Sequence, residues 1–287
     1  METVARDTDT LAAVSLMDLS VEAEAFGAEV KFADDEVPAI IGQLVCDEDG
    51  ANALEVPSLD KGRARVCAEG IRLAKERITD KPVIAGMIGP YSLAGRLMDV
   101  TEIMYLCFDE PETVHTVLGK VTEYLISYGR LLKESGADGI MMAEPLAGIL
   151  SPDMADEFSV PYVKRIVDAL QDENFAVIYH NCGNAVLGML DGILSLGAAA
   201  YHFGNAIDME AALKAVPADT VCMGNIDPVA EFTDGTPESM RTAVTDLLSK
   251  CGGYKNFILS SGCDIPAKAK WENIEAFFAS ANEYYDK

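Results

Sequence analysis

From residue 82 onward, short apolar runs alternate with longer amphipathic stretches. The apolar runs cover residues 82–90, 137–145, 175–180, 197–203, 219–224 and 257–262. Each is too short for a buried helix and is bounded by Gly, Pro or Asp, so each reads as a strand buried on both faces. Between them the apolar positions recur at helical spacing. Val114, Val117, Leu118, Val121 and Leu125 mark one helix, which opens at Asp109-Glu110-Pro111 and closes at Ser135-Gly136. Further helices are expected at 92–98, 152–170 (kinked at Pro161), 185–196, 208–215, 236–250 and 271–285. Upstream the pattern is weaker. It predicts a strand within 12–19, a helix over 21–26 stopped by Gly27, a short strand at 29–32, a loop over 46–60 and a helix over 61–79.

This alternation is the signature of a parallel α/β fold. Six strand–helix units follow residue 82, and the early segments supply one or two more. The expectation is a single (β/α)8 TIM-type barrel domain over residues 1–287. An open doubly wound sheet would announce itself by a glycine-rich nucleotide turn, and neither G-x-G-x-x-G nor a P-loop follows any of these strands.

Composition narrows the function. The formal charge of −25 leaves little positive surface with which to displace counterions from nucleic acid. No apolar run approaches the length of a membrane span. Residues 1–10 are polar, without the basic-then-apolar order of a leader, so no targeting segment is expected. Seven cysteines, an odd number in no framework spacing, suit a reducing cytoplasm.

The chemistry gathers where strands end. His180 and Cys182 are two apart at the end of one apolar run, so on a strand they leave the same face. Cys263 follows a second such run. If both strands share one barrel, an imidazole and two thiols converge at its C-terminal rim, the edge where such barrels build their sites. That donor set suits zinc with a fourth position open. The plainer alternative is two buried structural cysteines and a locally bonded histidine. Cys46, Cys67, Cys107, Cys222 and Cys251 are expected to be core or surface thiols, and His115 a surface or capping residue. Asp18, Glu144, His202 and Asn225 also stand at or just past strand ends.

Several stretches carry a resemblance. They are Met17-Asp18-Leu19-Ser20-Val21-Glu22-Ala23-Glu24-Ala25-Phe26-Gly27, Ile88-Gly89-Pro90-Tyr91-Ser92, Ala143-Glu144-Pro145, Met223-Gly224-Asn225-Ile226-Asp227-Pro228 and Ser261-Gly262-Cys263-Asp264. Together they resemble the uroporphyrinogen-decarboxylase superfamily. With His180-x-Cys182 and Cys263, the chain resembles its zinc-dependent, corrinoid-linked methyltransferase branch. The arginine-rich N-terminal segment of the decarboxylases has no counterpart here, and the N-terminal segment is shorter than is usual in the family.

The resemblance implies zinc on His180, Cys182 and Cys263. It implies a corrinoid-binding partner protein carrying methylcobalamin, and a small-molecule methyl acceptor or donor. Related enzymes place an acidic ligand on the following strand, at a position that falls here on Gly204. His202 or Glu144 is then the candidate to complete the metal's surroundings and act in catalysis, with Asp18 and Asn225 orienting substrate. In the implied reaction a zinc-activated thiolate takes the methyl group from methylcobalamin. The reverse sense, from a methoxy or methylamine-type substrate to cob(I)alamin, stays open. So do a metal-free decarboxylase-like activity and a non-catalytic paralogue.

Overall fold

The structure, a computed structural model, describes residues 1–34 and 36–286. Nine strands are described: β1 Ala13–Val14, β2 Glu29–Lys31, β3 Ala39–Ile41, β4 Val83–Ile88, β5 Gly139–Ala143, β6 Ala176–Asn181, β7 Ala200–Phe203, β8 Val221–Ile226 and β9 Phe257–Ser261. Seven of them form one parallel sheet in the order β1-β4-β5-β6-β7-β8-β9. The sheet curls into the expected (β/α)8 TIM-type barrel. Just past β9, the Asp264 carboxylate feels the backbone N–H of Met17, from the segment after β1.

Local chemistry explains the helices. Gly27 takes the left-handed conformation (φ 103°) and closes the helix Val21–Phe26. The expected break near Pro161 splits that stretch into Pro152–Phe158 and Val160–Leu170, with Pro161 in the first turn of the second helix, where no N–H is needed. Thr236 and Ser239 form a reciprocal capping box before Pro237–Cys251.

Two early readings need correction, over residues 46–60 and 12–19, and the structure adds a partner strand for β2 and a further helix. Residues 46–60 hold a helix, Glu48–Ala53, capped by Asp47, whose side chain accepts from the Gly50 N–H at 2.8 Å. The short strand near residue 29 is one arm of an antiparallel hairpin with β3. A helix over Val100–Asp109, capped by Asp99, precedes the long helix Pro111–Glu134. The strand expected within 12–19 shrinks to Ala13–Val14. Beyond Val14, the Ser15 Oγ takes the Gly86 N–H at 2.8 Å, and Met17 lies where a Gly86 side chain would stand. The chain therefore peels off the sheet there.

One hydrophobic core runs between the sheet and its helices. It includes Met87, Tyr124, Leu132, Val177, Phe203, Leu248 and Phe277.

Candidate metal centre

His180 is the fifth residue of β6 and is buried. Strand pairing sets it beside Ala143 on one side and His202 on the other. Cys182 follows one residue past the strand. Cys263 arrives from β9 across Gly262, where a Cβ would lie 2.5 Å from the Asn205 backbone nitrogen, so the loop passes too close for any side chain. The ligand atoms of His180, Cys182 and Cys263 all lie within 4.8 Å of one another. The Cys263 Sγ is 3.5 Å from the His180 Nε2.

A hydrogen-bond chain assigns the imidazole tautomers. His180 Nδ1 lies 3.2 Å from the His202 carbonyl oxygen, which can only accept, so Nδ1 carries the proton. The same Nδ1 is 2.7 Å from the His202 Nδ1. That nitrogen then accepts, and the His202 Nε2 donates to the Ser260 Oγ at 3.1 Å. Burial, with the neighbouring His180, pushes His202 down to about 3, so it stays neutral. The His180 Nε2 lone pair is left facing the thiols. This is the arrangement in which an outer hydrogen bond orients a ligating histidine.

The two thiols divide one proton. A hydrogen bond from Cys263 brings Cys182 down to about 7, against burial, and the same bond pushes Cys263 up to about 12. Gly204 backs this pair. A Cβ there would lie 2.5 Å from the Cys182 Cα, so an acidic side chain at that position would displace the thiol.

The other sequence candidates sit farther out. Glu144 is fully buried, and its carboxylate accepts the Tyr91 and Ser92 N–H groups (3.0 and 2.6 Å) in the first turn of helix Pro90–Met98. Burial outweighs those bonds and raises it to about 7. It stands outside the His–Cys–Cys group. Asp18 is bound by Ser20 (2.6 Å, hydroxyl) and by Arg63, which also holds Glu24. Burial alone would raise Asp18, but Ser20 and Arg63 hold it below the ordinary carboxylate range. Asn225 donates to the carbonyls of Gly204 and Ile207 (3.1 and 2.9 Å), so it shapes the loop whose glycine backs Cys182.

Ser260 was not singled out from the sequence. Its link to His202 skips the intervening strand β8, and no spacing along the chain announces such a step. All seven cysteines are free thiols, and Cys107, Cys222 and Cys251 are buried as expected. His115 is half-buried, with Nδ1 2.8 Å from the Tyr162 hydroxyl.

Residues 3–284 match the family described as uroporphyrinogen decarboxylase (URO-D). The chain belongs to that family. Among its relatives, a methylcobamide:CoM methyltransferase MtbA of Methanosarcina acetivorans is 29% identical over 271 residues, covering 93% of this chain and 78% of that protein. A uroporphyrinogen decarboxylase of Prochlorococcus marinus is 30% identical over 213 residues, covering 71% of this chain and 59% of that one. Among solved structures, a methyltransferase from Methanosarcina mazei superposes with a TM-score of 0.89 at 24% identity, over 99% of this chain and 83% of that one. At that identity the superposition speaks for the shared URO-D fold.

The donor set fits zinc. A tetrahedral zinc with bonds of about 2.0–2.3 Å holds its ligand atoms roughly 3.3–3.8 Å apart. The three ligand atoms lie within 4.8 Å of one another, near that span. Among the described residues, no helix is long and apolar enough to cross a membrane.

Proposed function

We propose that this URO-D family chain is a zinc-dependent methyltransferase that moves a methyl group from a corrinoid-binding partner protein to a small thiol. The observation that carries the reading is the convergence of His180, Cys182 and Cys263 with a shared outer hydrogen-bond chain. The relatives named as methylcobamide:CoM methyltransferases support it. Zinc held there supplies a Lewis acid that lowers the pKa of a substrate thiol.

The protein's own part is placement. Cys182 and Cys263 would hold the metal as thiolates, their protons released to solvent. His202 and Ser260 hold the His180 ring with Nε2 forward. Gly204 and the Asn225-bound loop set the position of Cys182. The reaction exchanges one bond for another. The substrate sulfur takes the methyl group, its proton leaves, and the cobalt–carbon electron pair stays on cob(I)alamin. Free thiols throughout the chain suit a reducing, cytoplasmic setting.

The test begins with metal analysis of the purified protein beside Cys263→Ala, followed by methyl transfer from methylcobalamin to a mercaptoalkane sulfonate, read as cob(I)alamin absorbance. About one zinc per chain, lost in the variant, together with turnover, is the expected result. A zinc-free wild-type protein would overturn the reading. Turnover only in the direction of cob(I)alamin methylation would keep the site and reverse the sense of transfer.

A further inference from the structure

The barrel wall beside β1 contains a cavity of about 370 Å³. It opens where the chain leaves the sheet after Val14. Val21, Ile71, Met87 and Leu132 give it apolar walls, and Glu22 lines it. Glu22 is 2% exposed. One carboxylate oxygen accepts the Ile88 N–H at 3.0 Å, standing in for the backbone partner that a longer β1 would supply. The other oxygen, Oε2, is buried with no hydrogen-bond partner. An ionisable oxygen buried in this way is unfavourable unless something donates to it.

The charges nearby point to the kind of donor. Arg63 is taken by Asp18 and Glu24. Arg96 attracts Glu22 electrostatically, but among the described residues no ion pair joins them, and the Arg96 Nε is itself unpartnered. With Glu22 ionised, three carboxylates face two guanidiniums, an excess of one negative charge. We infer that this wall cavity is a binding site for a small organic monocation, a primary ammonium on a short alkyl body, with Glu22 Oε2 accepting from the ammonium. The alkyl part lies against the apolar walls, and the Tyr128 hydroxyl and Cys67 thiol lie within the same cavity. Leu16, Val66 and Gly70 are its exposed lining residues. None of His180, Cys182 and Cys263 lines the cavity.

The test uses the full chain and calorimetric titration with n-hexylammonium, 1-hexanol and hexanoate. Saturable binding of hexylammonium is expected, about tenfold or more tighter than hexanol, with no binding of hexanoate. Glu22→Gln keeps an oxygen for the Ile88 N–H and should weaken hexylammonium by about tenfold or more while leaving hexanol unchanged. Gly70→Leu adds a side chain to the exposed lining, where an added Cβ meets nothing within 4 Å, and should weaken binding of all three probes. Circular dichroism and melting curves verify that both variants fold. Absence of saturable binding to the wild type, equal affinity for hexanoate, or undiminished binding by folded Glu22→Gln would each overturn the assignment.

Discussion

Between β6 and β9 neighbouring strands pair over three to five residues, and the polar groups at the rim find partners. His180, His202 and Ser260 form a closed relay. At the other end of the sheet, β1 pairs with β4 over two residues. There Ser15 and Glu22 side chains replace backbone acceptors, a cavity opens, and Glu22 Oε2, Arg96 Nε and the Tyr124 hydroxyl stay unpartnered. A continuous ladder holds side chains to the tolerance that a metal centre requires. A broken one leaves room, and with it unsatisfied polar atoms.

Two buried carboxylates make the comparison sharp. Glu144 has both oxygens bonded to a helix N-terminus, whereas Glu22 has one bonded and one free.

The largest effect should come from the first region. Cys263→Ala removes one of three converging donors, and bound zinc should fall from about one per chain to below about a tenth. Metal analysis after gel filtration reads this out, and full retention of zinc would show that Cys263 is not a ligand. Next is His202→Leu, which leaves every proposed ligand but unbinds the His180 Nδ1–H from its imidazole partner. Zinc affinity should drop about 10–100-fold by competition with a chelator, and His202→Gln, which offers an acceptor, should recover part of it. Equal affinity in all three proteins would reduce His202 to packing.

The carboxylate pair gives the next contrast. Burial raises both Glu22 and Glu144 to about 7, from 4.5 in the unfolded chain. Between those values the folded state keeps protons that the unfolded state has released, so stability falls as pH climbs from about 4.5 to 7. Glu22→Gln removes its share, up to about 3 kcal/mol, and should flatten the pH dependence of urea unfolding and raise stability at pH 8. Glu144→Gln instead turns an amide N–H toward backbone donors and should cost about 1–3 kcal/mol at pH 5, where the native carboxyl is protonated, the cost shrinking toward pH 8 as the wild type loses that carboxyl's share. If both variants moved stability alike, the distinction between the two ends of the sheet would fail. The smallest effect is Gly70→Leu. Gly70 lies within a helix and is exposed, so replacement should stabilise the fold by about 0.5–1 kcal/mol, while weakening binding in the cavity.

Much of this was legible in the chain. The barrel strands after residue 82, the Pro161 break and the Gly27 stop follow from period and punctuation, which act over a few residues. His180 and Cys182 could be paired because a strand's two-residue repeat puts them on one face. Cys263 could be added because it ends a second strand. The early region was harder to read. Short elements such as Glu48–Ala53 and β3 carry too few positions for a period to emerge, and the Asp47 cap is a single polar residue among many acidic ones.

Sequence alone thus determined the parallel barrel and the strand ends at which His180, Cys182 and Cys263 stand, because each depends on local geometry repeated along the chain. Tertiary structure decided which candidates touch one another. It drew Glu144 onto a helix terminus and Asp18 onto Arg63, and set Asn225 to hold a loop. It aligned His202 and Ser260 across two strand spacings, and left Glu22 half-satisfied where β1 ends. Those outcomes turn on distances of a few ångströms between residues far apart in the chain, which only the closure of the sheet sets.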